Sequence, residues 1–264
     1  MRLKSQLLTI DVRWPATALL GILWMSWIWC LWTPMATAGT LGDRAARFPN
    51  WQAKPPVRVA RGDLAYPQWM AGHWEVTSTL VEAIAPLAPT LVTPGFESNR
   101  RYLDRALHFR VRFDAPVEAP SEVVADRVYN GLEIAKAYLG ENKGISVSID
   151  PTNPNRQVTT LPPNRQLVSV VKGRGSERPN VDRFVATEIA YQIFRTRPQI
   201  YFNEVETTTA YERRSPMRVE AEQMTAVYLS PQDPNYFQAN GRPVALYRYH
   251  LQLDRDPMSL QPST

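Results

Sequence analysis

Nine runs of strand-forming residues, laid one after another and punctuated by turn signals, constrain this chain more than any other feature. They are Ala71 to Leu80, Leu107 to Phe113, Ile145 to Ile149, Gln157 to Leu161, Gln166 to Lys172, Phe184 to Arg195, Tyr201 to Tyr211, Met217 to Leu229 and Val244 to Leu253. β-Branched and aromatic side chains are frequent in them, as expected of residues that pack well on a pleated surface. Asp150-Pro151-Thr152-Asn153-Pro154, Pro162-Pro163-Asn164 and Asn240-Gly241 fall between runs, where short polar side chains and fixed proline angles suit hairpin turns. Val181 to Tyr228 offers three strands in succession, a meander. Alternation is clearest at the second run, with Leu107, Phe109, Val111 and Phe113 on one face and His108, Arg110 and Arg112 on the other.

Four segments stand apart from these runs. Ala85 to Phe96 contains Pro86, Pro89 and Pro94, which exclude a central strand or a helix and predict a loop over one end of the sheet. Ser121 as a cap, followed by Val124, Val128, Leu132, Ala135 and Leu139 at helical spacing up to Gly140, predicts a helix over 121–140. Gly131 counts against it, and Val123-Val124 and Val128-Tyr129 would tolerate a strand. Gly173-Arg174-Gly175-Ser176 reads as a hairpin loop rather than a phosphate loop, because a nucleotide fingerprint needs a helix behind it and Pro179 follows. Residues 39–68, rich in proline and charge and without a period, read as an extended arm. Its aromatics Phe48, Trp51 and Tyr66, with Trp69 just beyond, either pack back on their own domain or anchor a protein partner.

So many consecutive antiparallel strands favour a sheet closed on itself, since closure pairs the edges and encloses a core. The expected class is mainly β: an antiparallel up-and-down β-barrel over 69–256, with one helix, an extended N-terminal arm and a disordered tail at 257–264. Residues 1–38 read as a signal peptide. Arg2, Lys4 and Arg13 accompany an apolar stretch from Trp14 to Trp32, Thr33-Pro34 breaks it, and Ala36-Thr37-Ala38 is a small-x-small cleavage pattern before Gly39. An uncleaved leader would instead be an anchor, the only expected contact with a membrane. Cleavage implies an extracytoplasmic destination, thylakoid lumen or periplasm. It also removes Cys30, the only cysteine, leaving no disulfide, thiolate metal site or cysteine nucleophile. Without the leader, Lys plus Arg falls from 30 to 27 and Asp plus Glu from 25 to 24, and a net +3 is too weak to imply nucleic acid.

Gly72-His73-Trp74 on the first long strand of an exported up-and-down β protein resembles the lipocalin and calycin superfamily. That resemblance implies an arginine just after the last strand covering the tryptophan, and Arg255 holds the corresponding place. Only the architecture carries over, because the expected helix falls early between strands and the chain after Arg255 is too short for the usual C-terminal helix. Thr93-Pro94-Gly95-Phe96-Glu97, Ala125-Asp126-Arg127-Val128-Tyr129-Asn130-Gly131 and Gln192-Ile193-Phe194-Arg195 look similar to an uncharacterised family of cyanobacterial and plastid proteins. This second resemblance implies a place in or near the thylakoid lumen and transfers no catalytic residue.

A search for chemistry finds no catalytic motif and implies no cofactor. His73, His108 and His250 lie on separate strands without metal-ligand spacing, and no Gly-x-Ser-x-Gly elbow occurs. The candidate ligand-binding residues are Trp74, His108, Arg110, Arg112, Tyr247, Arg248 and His250. If the His/Arg face points inward, it forms a basic pocket for an anionic head group, with Trp74, Tyr247 and Tyr249 lining the apolar remainder; if outward, it is a solvated surface. The outward reading is favoured, because the four apolar residues of 107–113 need the interior more than arginine does. Three functions follow: a barrel for a small amphipathic or hydrophobic ligand, an accessory or assembly factor acting through its surface and arm, or a hydrolase-type enzyme whose site is assembled from distant residues.

Overall fold

Ten antiparallel strands, each hydrogen-bonded to its neighbours, make one continuous path in the computed structural model, which describes residues 40–93, 95–115, 122–140, 144–196 and 198–256. In chain order the strands are β1 (Arg58–Val59), β2 (Gly72–Ile84), β3 (Ala106–Asp114), β4 (Val124–Ala125), β5 (Ser146–Asp150), β6 (Asn153–Leu161), β7 (Arg165–Asn180), β8 (Arg183–Thr196), β9 (Gln199–Ser215), β10 (Arg218–Leu229) and β11 (Ala245–Arg255). The path runs β4-β3-β2-β11-β10-β9-β8-β7-β6-β5, and the short β1 lies beside β7. A meander from β5 to β11 therefore returns to pair its last strand with β2, and the sheet curls into an up-and-down half-barrel. All nine expected runs are strands. β1 and β4, two residues each, are too short to carry a periodic signal.

Among the described residues no pairing joins β4 to β5, and a helix occupies that side. Helix α3 (Arg127–Leu139) packs against β3, β5 and β6, after α1 (Leu41–Ala46) and α2 (Phe96–Arg100) and before α4 (Tyr236–Ala239). Its cap lies five residues later than the sequence predicts. Asp126 is the cap, accepting from the Tyr129 amide at 2.9 Å, while Val124 and Ala125 are claimed by pairing with β3. Ser121, the expected cap, lies outside the described residues. Gly131 is explained by close packing: a Cβ there would stand 2.8 Å from Gln157 Nε2 and 3.2 Å from Val147 Cγ1.

Gly173-Arg174-Gly175-Ser176 is not a hairpin loop, as the sequence suggested, but the middle of β7; the turn comes at Val181 and Asp182. Its glycines serve the arm rather than a turn. A Cβ at Gly173 would lie 2.5 Å from Val57 Cγ2, so only glycine lets the arm cross β7 this closely.

The arm also departs from a purely extended segment, because Thr40 and Asp43 form a capping box that starts α1. It lies on the convex face of the sheet, where Trp51 is buried with Met224, Ala226, Tyr228 and Leu246. Glu206, fully buried on β9, receives Arg44 Nε at 2.5 Å and Nη2 at 2.6 Å, Tyr228 Oη at 2.9 Å and Thr208 Oγ1 at 3.0 Å. Such a charge is tolerable only when paired and fully hydrogen-bonded, so this cluster ties the arm to its own domain.

Candidate functional site: the cavity at the open end

Antiparallel pairing sends alternate turns to opposite ends of the half-barrel. One end carries the turns at 151–152, 181–182 and 216–217; the other carries 162–164, the β8–β9 turn, 230–244 and 85–105. The first end is closed. Trp74, 1 % exposed, packs there with Met70, Val76, Val111, Phe113, Val219 and Leu253. Its Nε1 donates to Met70 O at 2.8 Å. Arg255 lies over the indole at 4.2 Å and donates to the carbonyls of Ala71, Trp69 and Pro216. A layer of rings backs this plug, with Tyr66 4.8 Å from Phe113, 5.5 Å from Phe184 and 6.1 Å from Tyr211.

The second end is hollow. A cavity of about 390 Å³ opens on the concave face of β8 to β11. The period-two alternation brings Gln192 and Phe194 from β8, Tyr201, Asn203 and Val205 from β9, Thr225 and Val227 from β10, and Tyr247 and Tyr249 from β11 to its wall. Thr93, Gly95, Ser98 and Asn99, from α2 and the loop before it, cover it from one side. Among the described residues no acidic or basic side chain lines it. Burial pushes the phenols of Tyr201, Tyr247 and Tyr249 above the ordinary tyrosine value, so they stay neutral through the physiological range.

Two polar atoms in this wall have no hydrogen-bond partner in the protein, the Tyr201 hydroxyl and Asn203 Oδ1, although Asn203 is only 6 % exposed. A third such atom among the described residues, Arg112 Nε, stands 3.0 Å from Asp114 Oδ2 in an ion pair, which leaves the cavity as the place where polar valence is open. Buried polar groups are nearly always paired, and their desolvation costs about 1–3 kcal/mol each when they are not. Asn99 Nδ2 donates to the Tyr247 hydroxyl at 3.2 Å, and the Tyr249 hydroxyl lies beside that of Tyr138 of α3. The cavity thus combines aromatic walls with neutral donors and acceptors.

The residues singled out from sequence divide between the two faces. Tyr247, with Tyr249, lines the cavity. Trp74 is in the opposite, closed end. His108, Arg110, Arg248 and His250 are exposed and Arg112 half-buried, so the His/Arg face is the outer one and forms no basic pocket. Each has a partner on a neighbouring strand or, for Arg112, at the cap of α3: Thr77 with His108 at 3.2 Å, Glu75 with Arg110 at 3.4 Å, Asp126 with Arg112, Glu82 with Arg248 at 3.0 Å and Glu222 with His250 at 3.0 Å. The physical reason is the one the alternation implied, that Val111 and Phe113 take the interior. Tyr201, Asn203, Gln192 and Phe194 were missed. Their signal was present, polar and aromatic residues at period two on the side of β8 and β9 that elsewhere reads as core.

A smaller cavity of about 230 Å³ lies under α3, beside Tyr66, Gln157 and Glu188. Its charges are already matched: Arg127 reaches Asp63 at 2.9 Å and Glu188 at 3.1 Å, and Arg174 reaches Glu188 at 2.6 Å and Asn155 at 2.9 Å. It reads as a structural bridge from helix to sheet. Among the described residues no group of three or more His, Cys, Asp or Glu could hold a metal ion.

The fold and the cavity together define a curled, up-and-down antiparallel β half-barrel, plugged by a tryptophan at one end and hollow at the other. Residues 58–257 match a family model, and the chain belongs to that family, DUF6816, a domain of unknown function. The matched region starts at β1 and ends just beyond β11, leaving α1 outside it. No curated protein and no solved structure matches the chain.

Proposed function

We propose that this half-barrel binds a small amphipathic molecule in the cavity at its open end, with an aromatic or aliphatic body against Phe194, Val205, Val227 and Tyr247 and an uncharged hydroxyl or amide at Tyr201 and Asn203. The observation that carries the reading is the pairing of a volume suited to a small ligand with two unpartnered polar atoms in an otherwise neutral wall. The absence of charge among the described lining residues argues against a free carboxylate or phosphate deep in the cavity, since none of them would offset its desolvation. We also infer export to an extracytoplasmic space, thylakoid lumen or periplasm, from the leader-like residues 1–38.

Native mass spectrometry of the protein as isolated from its cells tests both statements. A mass beginning at Gly39, plus a stoichiometric small molecule that dissociates on activation, is expected. An apo mass that takes up nothing from an extract of the same compartment would sink the ligand reading, and an intact Met1 would sink the cleaved leader. Asn203→Leu should weaken ligand affinity by up to about tenfold, the value of roughly one buried hydrogen bond.

A further inference from the structure

The open end carries a net positive charge and exposed large apolar side chains together. On the walls and at the closed end, Arg110, Arg213, Arg214, Arg218 and Arg248 each meet a carboxylate of a neighbouring strand or turn. At the open end, the described residues include Arg100, Arg101, Arg105, Arg165, Arg195 and Arg242 against only Glu97, Asp104 and Asp233. Arg100 pairs with Glu97 at 3.2 Å. The other five have neutral partners: Tyr102 for Arg101 and Arg105, Pro162 O for Arg165, Gln166 for Arg195 and Ala239 O for Arg242. None of these five is in an ion pair among the described residues, and six arginines against three carboxylates leave this end a net +3.

Large apolar side chains project among them. Phe237 on α4 is 88 % exposed and Ile200 at the start of β9 is 58 % exposed, with Val92 of the covering loop also outside. Ile200 shares a surface groove of about 500 Å³ with Arg165 and Arg195, directly beside the β8–β9 turn. These apolar residues stand on three separate elements around the rim, β9, α4 and the loop before α2. A protein interface concentrates apolar surface in a core depleted of charge. Isolated apolar tips set between arginines fit instead the headgroup boundary of a bilayer, where the tips enter the acyl region and the guanidinium groups meet anionic lipid.

We propose that the open rim docks on the surface of an anionic lipid bilayer, with Arg165, Arg195 and Ile200 of the groove and Phe237 of α4 as its contacts, so that the cavity mouth faces the membrane. This rests on the rim alone and stands or falls independently of what the cavity holds. Docking would let an amphipathic molecule pass between bilayer and cavity without crossing water.

The test is sedimentation of the protein, as isolated from its cells, with protein-free vesicles of phosphatidylcholine alone or mixed with phosphatidylglycerol. Binding should be at least about tenfold stronger to the mixed vesicles and should weaken as salt rises. Arg165→Gln with Arg195→Gln should cost about tenfold or more on the mixed vesicles. Ile200→Ser with Phe237→Ser should weaken the part of the binding that survives high salt. All four side chains are exposed, so circular dichroism and melting of the variants should match the parent, and Asn203→Leu should bind vesicles as the parent does. Equal binding to both vesicle types, or variants that bind as the parent does, overturns the proposal. So does retention by free phosphate or by a membrane protein when protein-free vesicles are not bound.

Discussion

The two ends of the half-barrel are built from the same strands and the same alternation, yet one is filled and the other is not. At the closed end Trp74 occupies the space, its indole nitrogen bonded to Met70 and its face covered by Arg255, and that guanidinium is itself bonded to three carbonyls. At the open end the wall holds Asn203, Gln192, Thr225 and Tyr201, with about 390 Å³ unfilled and the Tyr201 and Asn203 oxygens unpartnered. Complete packing and complete hydrogen bonding yield stability. A hollow with open polar valence yields none, and its retention in a fold that can plug its own end is what points to a ligand.

The comparison can be broken first at the plug. Trp74→Ala should destabilise the protein by about 3–5 kcal/mol in denaturant unfolding, because a wholly buried indole is replaced by a cavity and Arg255 loses the ring beneath it. A loss below about 1 kcal/mol would mean that the closed end is not the stabilising one.

The second effect is on pH. Burial raises the Tyr211 phenol, in the ring layer behind the plug, from 10.0 to about 12. An unfolded phenol ionises near pH 10 and the folded one near 12, so between these values the unfolded state holds fewer protons. The stability from keeping Tyr211 neutral is fully present below pH 10 and is lost as pH rises towards 12, at a slope of up to about 1.4 kcal/mol per pH unit. Chemical denaturation from pH 9 to 12 should show this decline, and Tyr211→Phe should flatten it. Since Tyr66 is raised for the same first reason, burial, a residual slope should persist in that variant.

The smallest stability effect belongs to the open end. Asn203→Leu should change unfolding free energy by under about 0.5 kcal/mol or raise it slightly, since an unpartnered buried amide oxygen is removed, while ligand occupancy falls. A loss of about 2 kcal/mol or more would show that Asn203 is structural and would erase the contrast between the ends.

Much of this architecture was legible in the sequence because strand identity is a local property. Leu107 to Phe113 announces both its strand and its buried face through period two, and the observed outward placing of Arg110 and partly of Arg112 follows from the burial of Val111 and Phe113. The helix was visible through its spacing but its start was not, since Val124 and Ala125 are strand only because β3 lies beside them. Gly173 and Gly175 looked like a turn because glycine is ambiguous in isolation. Their role as the floor beneath Val57 depends on an arm more than a hundred residues away in the chain. The capping box of Thr40 and Asp43 was local and readable, and it marks the one helix that the composition of the arm concealed.

By itself, then, the sequence determined the strands, their alternation and the antiparallel order of the meander, since these rest on neighbours within a few residues. Tertiary structure alone decided that β11 pairs with β2, that α3 lies where β4 and β5 do not meet, that Arg44 finds Glu206, and that Tyr201, Asn203, Gln192 and Tyr247 converge on one hollow. A cavity is the space left where side chains from four strands fail to fill a common volume, and no single strand carries the information about that volume.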